Sequence, residues 1–155
     1  MVTRDELWCQ LRRVALVSFE AKSEAETGWN GKGNGFVTVS EPSEGMLLFT
    51  EEGYWKPNGR NDLHFTNVFR WTKFKDALRL EHLRYGPENP IFLFDLAPGV
   101  NGEWHSQNPH HCGEDCYSGS LALAGNQILV HWQIRGPRKN ESIRYVYQAS
   151  KWPTE

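Results

Sequence analysis

The sequence predicts an all-β fold, an antiparallel up-and-down β-barrel with a short N-terminal helix. Three observations predict it: apolar and polar residues alternate with period two along most of the chain, Gly, Pro and Asn punctuate the alternating segments, and helical periodicity is nearly absent beyond the N-terminus. Strands joined by tight turns, without crossover helices, pair antiparallel. Closing such a sheet of roughly eight to ten strands on itself removes its aggregating edges and leaves room for one small ligand. A β-sandwich is the alternative, and the lack of Greek-key-length connections argues against it.

A chain of 155 residues fits a single domain spanning 1–155. A net charge of −2 gives no basic footprint, so nucleic acid is not an expected partner. No segment approaches the ~18 consecutive apolar residues of a membrane span, and the N-terminus shows no signal-peptide pattern, so a cytoplasmic protein without membrane association is expected. The three cysteines, an odd number, point to thiols rather than a disulfide framework. Aromatic residues make up 13% of the chain, with seven tryptophans against two methionines, and so many rigid rings must line something.

Thr3 with Glu6 reads as a capping box for a short helix carrying Leu7, Trp8 and Leu11. Residues 14–19 read as a strand and 20–27 as a polar connection. In 28–40, Trp29, Gly31, Gly33, Gly35, Val37 and Val39 share one parity. That is either a strand whose glycines admit another backbone or ring closely, or a loop followed by a strand. After a turn at 42–45, Leu47, Phe49, Glu51 and Gly53 share a face; Glu51 either points inward or, with Glu52, marks a strand end emerging into solvent.

Residues 63–74 alternate strongly, with Phe65, Asn67, Phe69 and Trp71 on the expected interior face. Further strands are expected at 77–84, 91–96, 103–107, 116–124, 127–135 and 142–149. In the last three, Tyr117, Gly119, Leu121 and Leu123 look inward, and Ile128, Val130, Trp132 and Ile134 should be buried. Arg138 and Lys139, in the turn at 136–139, form either a solvated tip or a lid for an anionic ligand group.

The stretch HHCGEDCYSG, residues 110–119, concentrates the chemistry. Cys112 and Cys116 have an acceptable spacing for zinc beside His110 and His111, but no second Cys pair exists and His64, His82, His105 and His131 are scattered, so no metal is expected. A Cys112–His nucleophile is not expected either, because adjacent turn residues rarely meet in hydrogen-bonding geometry. The more economical reading makes Gly113 a positive-φ turn residue, Asp115 an acceptor for turn N–H groups, and Tyr117 a hydroxyl at the barrel mouth.

Several segments together resemble a lipocalin-like, calycin-type β-barrel family known as a domain of unknown function. They are Trp8 and Arg12, the glycines from 31 to 35, the aromatic-x-Glu-x-Gly strand at 49–53, Phe69 with Trp71, the His-x-Cys-x-x-Asp-x-Tyr segment from His110 to Tyr117, the Trp-x-x-x-Gly-Pro-x-Lys segment from Trp132 to Lys139, and Tyr147. The chain departs from that pattern at Asn67, where the family has Arg, and at 85–90, where Tyr-Gly-Pro-Glu-Asn-Pro replaces an Asp-Gly-Arg turn. The resemblance implies a barrel with a pocket and supplies no activity.

The leading expectation is a barrel that binds an apolar or aromatic small molecule, without a cofactor, through Trp29, Glu51, Asn67, Phe69, Trp71, His110, Asp115, Tyr117 and Trp132. Its competitor is an enzyme in the same cavity, with His110 or Glu51 as general acid/base and Tyr117 orienting the substrate. A third reading is an interaction module with an exposed aromatic surface. The chain is expected to be a monomer or a homodimer.

Overall fold

The Thr3 hydroxyl accepts the Glu6 N–H at 3.1 Å and caps helix α1 (Arg4–Arg12). The computed structural model of the chain describes residues 3–24, 30–99, 101–107 and 110–149, with the side chains of 110–112 excepted. Trp29 therefore lies outside the described residues. Leu7, Trp8 and Leu11 occupy one face of α1 at i, i+1 and i+4, and all three are fully buried.

Eleven strands follow: β1 (Val14–Ser23), β2 (Gly31–Ser43), β3 (Met46–Pro57), β4 (Leu63–Lys73), β5 (Leu78–His82), β6 (Ile91–Pro98), β7 (Trp104–Ser106), β8 (His110–Cys112), β9 (Asp115–Ala124), β10 (Gln127–Arg135) and β11 (Asn140–Ala149). Ten of them, all but β8, close an antiparallel barrel in chain order, with β9 pairing both β7 and β10 and β11 returning to β1. The barrel expected from alternation and punctuation is thus the fold observed. The strands themselves run longer than expected at several ends, because a backbone that keeps pairing continues through polar residues such as Glu20 and Lys22.

The eleventh strand, β8, lies outside the ring. It forms a two-residue hairpin with the start of β9, in register His110↔Tyr117 and Cys112↔Asp115. Gly113 has φ 66° at the first turn position, where the hairpin geometry calls for a positive φ.

The glycine-rich segment is a strand from Gly31 onward. Its glycines admit close neighbours: a Cβ on Gly33 would run into the ring of Phe19, and one on Gly31 or Gly35 into the backbone of β3, while on β9 a Cβ on Gly119 would run into the ring of Phe94. The inward parity carries Val17, Val37, Leu47, Phe49, Phe69, Trp71, Leu80, Phe94, Trp104, Leu121, Ile128, Val130, Trp132, Tyr145 and Tyr147, all buried in one core.

Helix α1 plugs one end of this core. Arg4 donates to the carbonyls of Phe74 and Lys75, Lys73 lies over the Trp8 ring at 5.3 Å, and Arg12 holds Glu41 through two bonds of 3.1 Å. Full burial of each apolar side chain on the plug contributes about 1.5–3 kcal/mol. At the opposite end Phe19, Trp55, Phe65, Ile91, Tyr117 and Ile143 are only half-buried. No helix among the described residues is long and apolar enough to cross a membrane.

Candidate functional site

Glu51 sits in the middle of β3, inside the barrel, and its exposure is 0%. The alternative reading of Glu51 as the solvent end of a strand is overturned, because β3 continues to Pro57 with its pairing to β2 intact; Glu52, of opposite parity, is the one that is exposed. A lone buried carboxylate is costly unless it is paired or protonated. Tyr147 donates its hydroxyl to Glu51 Oε2 at 2.6 Å, from the opposite wall of the barrel on β11. Glu51 Oε1 is buried and makes no hydrogen bond of good geometry among the described residues, with the Asn67 side chain the second group that hydrogen-bonds toward the carboxyl.

Burial raises the Glu51 carboxyl to about 7, against a smaller opposing pull from Tyr147 and from Asn67, its cross-strand neighbour. The hydroxyl of Tyr147 is pushed well up, first by burial and then by the nearby carboxyl, and that of Tyr145 is raised for the same two reasons. Tyr147 therefore stays a donor. Glu51 alone of the three changes charge in the neutral range.

Rings build the walls around this carboxyl. Trp132 and Tyr145 stack with centroids 5.4 Å apart and planes within 9°, and Tyr145 and Tyr147 stack at 5.7 Å and 6°. Phe69 meets Trp132 and Tyr145 edge-on, and Phe49 does the same to Tyr147. The ladder arises because Tyr145 and Tyr147 are successive inward residues of β11, each opposite an inward residue of β10.

The wall beside Glu51 is not continuous. Strand β4 pairs with β5 only from Phe69↔His82 onward, so the first half of β4 runs past the end of β5. A cavity of about 410 Å³ opens there, lined by Thr66, Asn67, Val68, His82, Leu83 and Arg84. Asn67 borders this cavity on one side and the Glu51 carboxyl on the other. The His82 ring stacks on Phe69 at 4.8 Å, and burial, helped by Arg84, lowers its basicity.

The structure groups Glu51, Asn67, Phe69 and Trp132 around the Tyr145–Tyr147 ladder. Trp71 lies further along β4, toward the helix plug, with its ring edge-on to Phe49 and its indole N–H buried without a partner among the described residues. Tyr117 packs against the core at the unplugged end, opposite Ile134.

Asp115 stands apart. Instead of the turn N–H groups expected for it, its described partner is Lys139 at 3.7 Å, across the rim, and it packs against Gly136. The Gly136–Lys139 turn is thus tied to β9 by one of the two basic residues considered for a lid. His110 pairs through its backbone with Tyr117, and its side chain lies outside the described residues.

Tyr145, Tyr147 and His82 were absent from the residues singled out as a site. Their signal was present in the strand RYVYQ, where two tyrosines share the inward parity. A hydroxyl on a buried face needs a partner, and Glu51, in the middle of an apolar parity, is an acid placed to supply it.

Among solved structures the chain is similar in fold to the S-type phycobiliprotein lyase CPES from Guillardia theta, with a TM-score of 0.57, 8% identity, and coverage of 95% of this chain and 93% of that one. It is also similar to a redesigned β-barrel, mFAP1, bound to DFHBI, with a TM-score of 0.42, 13% identity, and coverage of 90% and 96%. No curated protein matches the sequence. Residues 9–149 match the pattern described as "Family of unknown function (DUF6314)", and the chain belongs to that family.

Proposed function

We propose that the barrel binds an apolar or aromatic small molecule on its inner face, with Glu51 as the polar anchor. The observation that carries this reading is a fully buried glutamate with no cation to pair it among the described residues, set among aromatic rings, whose neighbour Asn67 lines an opening in the wall. Largely apolar walls with few convergent polar groups are the usual makeup of a small-molecule site. A core that served only packing would gain by replacing such a group with an apolar one. The likeness to the phycobiliprotein lyase is one of fold and brings no substrate with it.

In this reading Phe69, Trp132 and the two stacked tyrosines form the contact surface, Asn67 lies at the entrance, and Tyr117 narrows the unplugged end. Trp71 supports the floor. Asp115 acts as a rim tie through Lys139.

Native mass spectrometry of the purified protein, followed by organic extraction, tests the proposal. A co-purified organic mass is expected. In its absence, uptake of 1-anilinonaphthalene-8-sulfonate that aromatic compounds compete off serves the same purpose. Protein that carries no such mass and takes up no dye would overturn it.

One observation favours a second reading, catalysis in the same cavity. A carboxyl held near 7 is poised to exchange a proton at neutral pH, as a general acid or base must. Turnover of a bound compound that disappears in Glu51→Gln while binding persists would establish it.

A further inference from the structure

The opening in the barrel wall has a lining of one sign. We propose that the cavity between β4 and the end of β5 binds an aromatic carboxylic acid, with the Arg84 guanidinium as its counter-ion and Thr66 as the neutral donor beside it. This goes beyond the interior reading above and does not use Glu51 as an anchor.

Three features carry the proposal, and charge is the first. Of the residues lining the cavity, Thr66, Asn67, Val68, His82, Leu83 and Arg84, only Arg84 is permanently charged and none is acidic. The acids that adjoin them have partners of their own: Glu52, opposite Thr66, meets His64 at 2.9 Å, Glu81, next to His82, accepts from Arg70 at 2.9 Å, and Glu51, opposite Asn67, is held inside by Tyr147. Arg84 joins no ion pair among the described residues, and its guanidinium lies over the Tyr85 ring at 5.6 Å. A guanidinium stacked by its face keeps its N–H edge free for the two oxygens of a carboxylate.

The second feature is the bare edge of β4. In an antiparallel ladder the N–H and C=O of one residue point the same way, and successive residues alternate. Val68 accepts the Leu83 N–H at 2.8 Å on the β5 side, so Thr66, two residues earlier, turns its own N–H and C=O to that side, beyond the last β5 pairing at Phe69↔His82. The Thr66 side chain lines the same space. A backbone N–H and a hydroxyl beside a guanidinium form a donor set for an oxyanion. Asn67 adds less, because its amide is turned toward the Glu51 carboxyl.

The third feature is the apolar remainder of the lining. Val68 and Leu83 supply hydrocarbon, and the His82 ring is stacked on Phe69 at 4.8 Å. Burial and the nearby Arg84 lower the basicity of His82, so its ring is neutral near neutral pH. A cavity of about 410 Å³ is of the size that small-molecule sites have. An uncharged bowl with one cationic edge matches a flat apolar body carrying one carboxylate. An organic cation would be repelled by Arg84, and a purely apolar compound would leave its charge unpaired.

The test compares two compounds of one shape that differ in charge. 2-Naphthoate and 2-naphthamide are titrated separately at low ionic strength and followed through the backbone amide signals in ¹⁵N-edited NMR spectra. Naphthoate is expected to shift the Thr66 and Arg84 signals and to bind about tenfold more tightly than naphthamide. In Arg84→Gln, a substitution at an exposed position that leaves the core intact, the two should bind within about twofold of each other.

Equal wild-type affinities, or a preference for naphthoate that survives in Arg84→Gln, would overturn the proposal. Naphthoate shifts confined to Tyr145 and Tyr147 would overturn the wall site and leave interior binding standing. Binding of neither compound would overturn it too, and uptake of the anilinonaphthalene dye by Arg84→Gln then decides separately whether the interior reading stands.

Discussion

The two ends of the barrel are built from the same strands with the same alternation, yet they differ in how their inner faces end. At the end plugged by α1, Leu47, Leu78, Leu96, Trp104 and Leu121 are at most 2% exposed and share one core with Leu7, Trp8 and Leu11. At the other end the inward rings of Phe19, Trp55 and Phe65 remain half-buried, and Phe19 and Phe65 meet edge-on at 5.3 Å. The plugged half is a packed core. The unplugged half keeps aromatic surface available, and Glu51 lies between the two.

The largest effect that can break this comparison is removal of a plug residue. Trp8→Ala deletes a fully buried ring with a lysine over its face and should cost about 3–5 kcal/mol, measured by urea unfolding. Phe65→Ala should cost no more than about 1–2 kcal/mol while weakening uptake of an aromatic dye, because the ring is already partly exposed. Equal costs for the two would mean that the ends do not differ in packing.

Glu51 gives the next effect, and its sign is unusual for an acid. Its folded carboxyl titrates near 7 against an ordinary value of 4.5, so the native state holds a proton that the unfolded state has released between those values. Its contribution is therefore fully present below about pH 4.5 and is lost as pH rises toward 7. The loss amounts to about 3 kcal/mol. Glu51→Gln should remove this slope, so that its unfolding free energy, measured from pH 4 to 8, gains on the wild type as pH rises. A difference that is flat across that range would mean that the carboxyl is not held protonated by burial.

Much of this barrel was legible in the alternation of its strands, and the reason is geometric. Period two separates two faces, and the parity that holds Phe69, Trp71, Ile128 and Val130, the expected interior, is the one the structure buries. Glu51 was harder, since one acid in an apolar run reads equally as a strand end. Only the continued pairing of Gly53, Trp55 and Pro57 with β2 shows that it lies inside. The gap beside Asn67 was not legible at all. It depends on where β5 ends relative to β4, a matter of register between segments far apart in sequence.

The smallest effect concerns the rim, and it separates two roles for Asp115. Sequence reasoning placed this acid among the ligand contacts, whereas in the structure it faces Lys139 at 3.7 Å with both side chains partly in solvent. An ion pair of that kind contributes less than about 1 kcal/mol and is screened by salt. Lys139→Ala should therefore shift the unfolding midpoint slightly at low ionic strength and not at 1 M salt. If the pair only ties the Gly136–Lys139 turn to β9, Asp115→Asn should leave dye affinity within about twofold of wild type, because the carboxyl stands at the rim and not on the ring ladder. A tenfold loss of affinity in Asp115→Asn, with stability unchanged, would instead move the ligand out of the barrel's interior and up against the β8–β9 hairpin.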